Sequence, residues 1–182
     1  MANPKSAYSV STKKEKSDTH IIVVWVDNEA GVLARVVGLF SGRGYNIESL
    51  AVAEVDAKKN ISRITIVTTG TPQVIDQIKL QLKKLVPVHK VADFKRDDKS
   101  VIFKEMALFK VVGNTNKIKK AINACKKYNA VILDKTNKSC VIQITALRRE
   151  IDKMSKNLKK FGLISVSRTG AVAMTRGAET FK

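Results

Sequence analysis

The apolar period of this chain switches repeatedly between two residues and about 3.6, and that switching restricts the fold more than any other feature. His20 opens the run Ile21 to Val26, whose near-continuous hydrophobicity suits a strand covered on both faces or central in its sheet. The period then turns helical: Val32, Leu33, Val36, Val37, Leu39 and Phe40 share one side of a helix predicted over 30–42, which Gly42 and Gly44 end. Ile47 to Val55 returns to strand composition, residues 56–60 make a polar turn, and Ile61 to Thr69 is the antiparallel mate. Thr71 as N-cap and Pro72 in the first turn start a second helix, with Val74, Ile75, Ile78, Leu82 and Leu85 as its buried stripe. Val86 to Phe94 closes the unit, giving the order βαββαβ.

After a charged linker over 93–100 the order repeats. Val101 to Val112 is strand-like; Ile118, Ala121, Ile122 and Cys125 stripe a helix; Ala130 to Leu133 and Cys140 to Thr145 form a hairpin. Leu147, Ile151, Met154, Leu158 and Phe161 stripe another helix, and Leu163 to Val166 begin a last strand. The copies are about 80 residues apart and share little identity, so the repeat is one of topology. The fold class is therefore α+β, two tandem ferredoxin-like sandwiches. The expected division is a flexible tail over 1–19, a first domain over 20–95 and a second over 100–182. Each half packs its helices on one sheet face and leaves the other needing cover, so pairing of sheet faces or edges is expected, and with it a dimer.

The 182 residues carry a formal net charge of +18, which invites a nucleic-acid reading. The excess is uneven: residues 20–95 hold +3 and residues 96–182 hold +13. The lysines of the second half cluster at 117–127 and 153–160, mostly off the apolar stripes, where a solvated helix face would carry them. RNA-recognition modules of this topology display aromatics on their central strands, and neither Ile47 to Val55 nor Ile61 to Thr69 contains one. A protein partner of acidic character suits the basic half better, and no nucleic acid is expected. The longest apolar run, Ile21 to Val26, is far below the ~20 residues of a membrane span. Cys125 and Cys140 cannot make a disulfide scaffold or a four-ligand zinc site, and the cytoplasm is the simplest compartment.

Candidates for catalysis are few. His20 and His89 have no metal-ligand spacing and read as surface or edge-strand histidines; Cys125 and Cys140 fall on apolar stripes and read as core residues. Asp97 and Asp98 belong to the linker, and Ser41-Gly42-Arg43-Gly44 follows a helix, where a phosphate-binding loop would precede one. The chain does not read as an enzyme, and no catalytic residue or metal ligand is assigned.

The informative stretch is Asp27-Asn28-Glu29-Ala30-Gly31-Val32-Leu33, where the first strand hands over to the first helix. Helix N-terminal amides lack intrahelical partners and carry partial positive charge, so this turn can take a carboxylate. Asn28 can cap the helix or turn to a ligand, and Gly31 lets a ligand approach the backbone. A capped helix with nothing bound explains the same residues.

The run from Asn28 to Leu50, continued by Ser62 to Ile66, Gln77 to Val86 and Arg168 to Gly177, resembles the small regulatory subunit of acetolactate synthase, whose first domain is an ACT domain. The resemblance spans nearly all of residues 20–177. It implies a non-catalytic subunit in branched-chain amino acid biosynthesis, including that of valine and isoleucine. Such a subunit activates a large catalytic subunit and confers feedback inhibition by a branched-chain amino acid, usually valine. It also implies a homodimer with the effector between paired ACT domains: Asn28, Gly31, Val32 and Leu33 on the loop of one chain, Asn46 and Ile47 on the other. Thiamine diphosphate, Mg²⁺ and FAD would belong to the catalytic partner, with no cofactor in this chain. The pattern departs at Asp27, where relatives often have Glu, and at Ala34, where several have Ser. The matching turn of the second half, residues 112–117, lacks the Asn-x-x-Gly signature and is expected to bind no amino acid. A stand-alone ACT sensor of another pathway is the alternative, with an RNA-binding protein behind it.

Overall fold

The computed structural model describes residues 16–178 and 180. The tail expected over 1–19 falls largely outside the described residues, and Asp18 and Thr19 already belong to the first strand. The first unit runs β1 (Asp18–Asp27), α1 (Val32–Ser41), β2 (Ser49–Asp56), β3 (Ile61–Gly70), α2 (Pro72–Lys83) and β4 (Val88–Lys95). Its sheet has the antiparallel order β2-β3-β1-β4, with β2 and β4 at the edges. Ile22, Val24 and Val26 of β1 and Ile64 and Ile66 of β3 pack against Val36 and Phe40 of α1 and Ile75, Ile78 and Leu82 of α2. The opposite parity of β1, Ile21 and Val23, is also buried, which accounts for its near-continuous hydrophobicity.

The second unit runs β5 (Val101–Val112), α3 (Thr115–Cys125), β6 (Val131–Lys135), β7 (Ser139–Ala146), α4 (Arg148–Leu158) and β8 (Leu163–Thr175), in the sheet order β6-β7-β5-β8. Ala107, Phe109 and Val111 of β5 and Ile142 and Ile144 of β7 bury their side chains under Ile118 and Cys125 of α3 and Ile151, Met154 and Leu158 of α4. The last strand runs well past Val166, so Arg168 to Thr175 lie in β8 beside the first half of β5.

β5 and β8 outreach their own helices, and the excess length covers the open face of the first sheet. Val101, Phe103, Ala171 and Ala173 pack on Ile21, Val23, Val67, Ala92 and Phe94. Face pairing, expected between sheets, is thus made within one chain. The central strands of the first sheet are β1 and β3, with β2 at an edge, and β1 carries Trp25; that aromatic packs in this seam, so the face an RNA module would use is occupied.

The seam is also polar at its margin. The Ala171 amide donates to Ser49 Oγ at 3.3 Å. Gly170 has φ +80°, and a Cβ there would lie 2.8 Å from Ser49 Oγ and 3.0 Å from the Leu50 carbonyl, so glycine permits both the turn and the approach. Where β5 and β8 slip register, between Glu105 and Ala107, the buried Glu105 carboxylate accepts from Arg168 Nε and Nη2 at 2.7 Å each. Arg168 Nη1 reaches Asp152 Oδ1 on α4 at 2.7 Å. These bonds, Glu105 first, raise the guanidinium pKa above its ordinary value.

Candidate effector site

The strand-to-helix turn is built from the backbone up. The Asp27 amide donates to the Pro87 carbonyl at 2.9 Å and the Asn28 amide to the Asn60 carbonyl at 2.7 Å, tying the end of β1 to its neighbours. Gly31, not Ala30, bounds the helix: it is the N-cap with φ +82° and ψ −9°, and α1 begins at Val32. That left-handed conformation strains any residue with a Cβ, and it aims the chain so that no side chain makes a cap hydrogen bond to α1. α2 and α3 differ. Thr71 Oγ1 accepts from the Val74 amide at 3.4 Å, and Asn114 Oδ1 from the Lys117 amide at 2.9 Å.

Asn28 does not cap α1. Its Oδ1 accepts from the buried Ser62 hydroxyl at 2.9 Å and its Nδ2 donates to Glu54 Oε1 at 3.4 Å. Its carbonyl accepts from Asn60 Nδ2 at 3.3 Å. The loop is thus held by β2, β3 and the turn between them, while Asn28 and Gly31 stay exposed. Ser62, Glu54 and Asn60 carry no motif; only the tertiary pairing of β2 with β3 brings them to Asn28. Val32 is 3% exposed and its side chain belongs to the core, whereas Leu33 is 38% exposed beside it.

Asn46 and Ile47 precede β2, which begins at Ser49 where the sequence predicted Ile47. The Asn46 carbonyl accepts from Thr68 Oγ1 at 2.7 Å, its side chain is exposed, and Ile47 packs partly against the core. These two residues follow α1 while Asn28 and Gly31 precede it. A ten-residue helix spans ~15 Å, so the two sets lie at opposite ends of α1 and one chain does not join them.

The other candidates take plain structural places. His20 is neither surface nor edge: it is 7% exposed on central β1, with Nδ1 2.7 Å from Asp93 Oδ1. His89 lies on edge strand β4, half-exposed, beside Asp27. Both cysteines are buried free thiols; burial pushes Cys125 up to about 11 and raises Cys140 as well. Asp98 accepts from the hydroxyl and amide of Ser100, which holds its carboxyl below the ordinary range. Among the described residues no cluster of three or more His, Cys, Asp or Glu could hold a metal, and no helix is long and apolar enough to cross a membrane.

Two ferredoxin-like units in tandem, the first with an open, uncapped glycine turn at its first helix, define an ACT-domain protein. Residues 22–90 match the family model described as the AHAS small subunit-like ACT domain, and residues 104–177 match that of the small subunit of acetolactate synthase. The acetolactate synthase small subunit of Mycobacterium bovis is 36% identical over 159 residues, 87% of this chain and 93% of that protein. That of Aquifex aeolicus is 37% identical over 165 residues, 90% of this chain and 84% of that protein. The crystal structure of the small subunit from Thermotoga maritima superposes with a TM-score of 0.80 at 31% identity, covering 88% of this chain and 99% of that one. The chain belongs to the acetolactate synthase small subunit family.

Proposed function

We propose that this chain is the non-catalytic regulatory subunit of an acetolactate synthase, acting in the cytoplasm on a large catalytic subunit and conferring inhibition by a branched-chain amino acid. The supporting observation is the geometry around α1. Its N-terminus is bare of a side-chain cap at Gly31, with Asn28 and the Glu54 carboxylate beside it. Oriented amides suit the effector carboxylate, Glu54 its ammonium, and exposed Leu33 a branched aliphatic group.

The separation of Asn46 from Asn28 within one chain is resolved by a homodimer. β2 is an edge strand with Val52 and Val55 each 47% exposed. Two β2 strands paired antiparallel about a two-fold axis put the start of one beside the end of the other, so Asn46 and Ile47 approach the partner's turn. Effector occupancy and dimer geometry are then linked, and a coupling of ~1–3 kcal/mol changes activity or affinity roughly 5–150-fold. In the second unit Asn114 caps α3 by accepting from the Lys117 amide, which supports a single effector turn per chain. The basic second half supplies a docking surface for an acidic partner, and thiamine diphosphate, Mg²⁺ and FAD belong to the large subunit.

Calorimetric titration of the chain with valine, leucine and isoleucine tests the reading, alongside Gly31→Asp. A Cβ at Gly31 meets no atom within 4 Å, so the variant folds at the cost of a strained φ, about 1–2 kcal/mol, and puts a carboxylate where the effector carboxylate binds. The expected outcome is binding by the native chain, none by the variant, and stimulation of the large subunit by both. Simultaneous loss of binding and stimulation would assign Gly31 to the fold or the subunit contact.

A further inference from the structure

The seam between the two units encloses a cleft of about 90 Å³ that the effector reading does not use. Its floor is apolar: Ile21 and Val67 of the first sheet, Phe103 of β5 and Ala171 of β8. At its wall stands Arg148, the first residue of α4. Nη2 of Arg148 donates to the Glu48 carbonyl at 3.4 Å, while Nη1 is buried and, among the described residues, has no hydrogen-bond partner. The nearest carboxylate oxygen, Glu48 Oε2, is 3.6 Å from Nη1, within range of ionic attraction and beyond a hydrogen bond. A guanidinium has five donors in a planar fork that matches a carboxylate, so an unfilled buried donor facing an apolar hollow is an incomplete site.

The charge around the cleft has one sign in excess. Arg96, Lys104, Arg148 and Arg149 face Glu48, Asp97 and Glu105. Glu105 is already engaged by both arms of the Arg168 fork and Glu48 is in ionic range of Arg148, which leaves Arg96, Lys104 and Arg149 against Asp97. The excess attracts an anion and disfavours an ammonium, which separates this cleft from a turn suited to a zwitterion. The volume far exceeds the roughly 10–15 Å³ that one water needs, and the floor of Ile21, Val67, Phe103 and Ala171 side chains offers water no hydrogen bond.

We propose that the seam cleft binds a short branched aliphatic monocarboxylate, its carboxylate on Arg148 Nη1 and its methyl groups on Ile21, Val67 and Ala171. The site is formed by both units, so its occupant holds β1 and β3 against α4 and β8. It stands independently of the effector turn.

The test is a methyl-detected NMR titration of the full chain with 2-methylpropanoate, using 2-methylpropanamide as the uncharged isostere. Saturable shifts of the Ile21 and Val67 methyls are expected, with affinity of roughly 1–10 mM for a ligand of so few atoms. The amide should bind at least about tenfold more weakly, as should the acid to Arg148→Gln, since the charge-assisted pair is lost. Ala171→Val, which fills the floor and leaves Arg148 in place, should abolish the shifts; it decides the matter if Arg148→Gln does not fold. Gly31→Asp should titrate as the native chain does. Absence of saturable shifts, equal binding of acid and amide, native affinity in Arg148→Gln or in folded Ala171→Val, or loss of binding in Gly31→Asp would each overturn the proposal.

Discussion

Replacing Glu105 by Gln tests whether its pair with Arg168 secures the register slip between β5 and β8. The carboxylate is 3% exposed and takes two bonds of 2.7 Å from Arg168. Gln keeps the shape and one acceptor and removes the charge. Arg168 is then left with Asp152, whose side chain is 45% exposed, so solvent screens most of the compensation. Breaking a buried ion pair by removing one partner costs about 3–5 kcal/mol. The Arg168 side chain is 32% exposed and recovers some hydration, which places the expected loss at about 2–3 kcal/mol. For a chain of this length that lowers Tm by roughly 4–12 °C. Calorimetric and urea unfolding of native, Glu105→Gln and Glu105→Met/Arg168→Met chains would measure it, and the double variant should recover part of the loss because it leaves no unpaired buried charge. A Glu105→Gln chain within about 0.5 kcal/mol of native would refute the argument that this pair secures the slip.

Two further outcomes follow from packing. Gly162 has φ +95°, and a Cβ there would fall 2.1 Å from the Val112 carbonyl oxygen, a backbone atom that cannot swing aside; Gly162→Ala should cost more than about 3 kcal/mol, read as a fall in urea midpoint. Burial raises the Cys125 thiol to about 11 from its ordinary 9.0, so the native chain should resist alkylation at pH 8 and react in denaturant, and this thiol's contribution to stability, whole below pH 9, should decline as pH rises toward 11; rapid native labelling at pH 8 would contradict its place in the core.

The alternating periods made both βαββαβ units readable, because strand and helix stripes are local patterns that burial on one side enforces. Thr71-Pro72 marked the start of α2 for the same reason: a cap is chemistry between residues three apart. The turn from Asn28 to Leu33 was legible as a strand-to-helix handover with a glycine at the helix start. Its helix boundary was not, because Gly31 takes a left-handed φ that delays α1 to Val32 and turns Asn28 toward Ser62 and Glu54. Nothing in the strands' own pattern announces those partners.

What the sequence by itself determined is the set of elements, their order and the glycine turn, all governed by neighbours within a few residues. Tertiary structure alone decided that β5 and β8 would outgrow their helices and cap the first sheet, that His20 would be buried against Asp93, and that Glu105 and Arg168 would meet across a register slip. It also decided that Asn28 and Asn46 would stand at opposite ends of α1, so that the proposed effector site calls for a second chain. Strand pairing sets these distances, and pairing partners lie tens of residues apart, where no local period reports them.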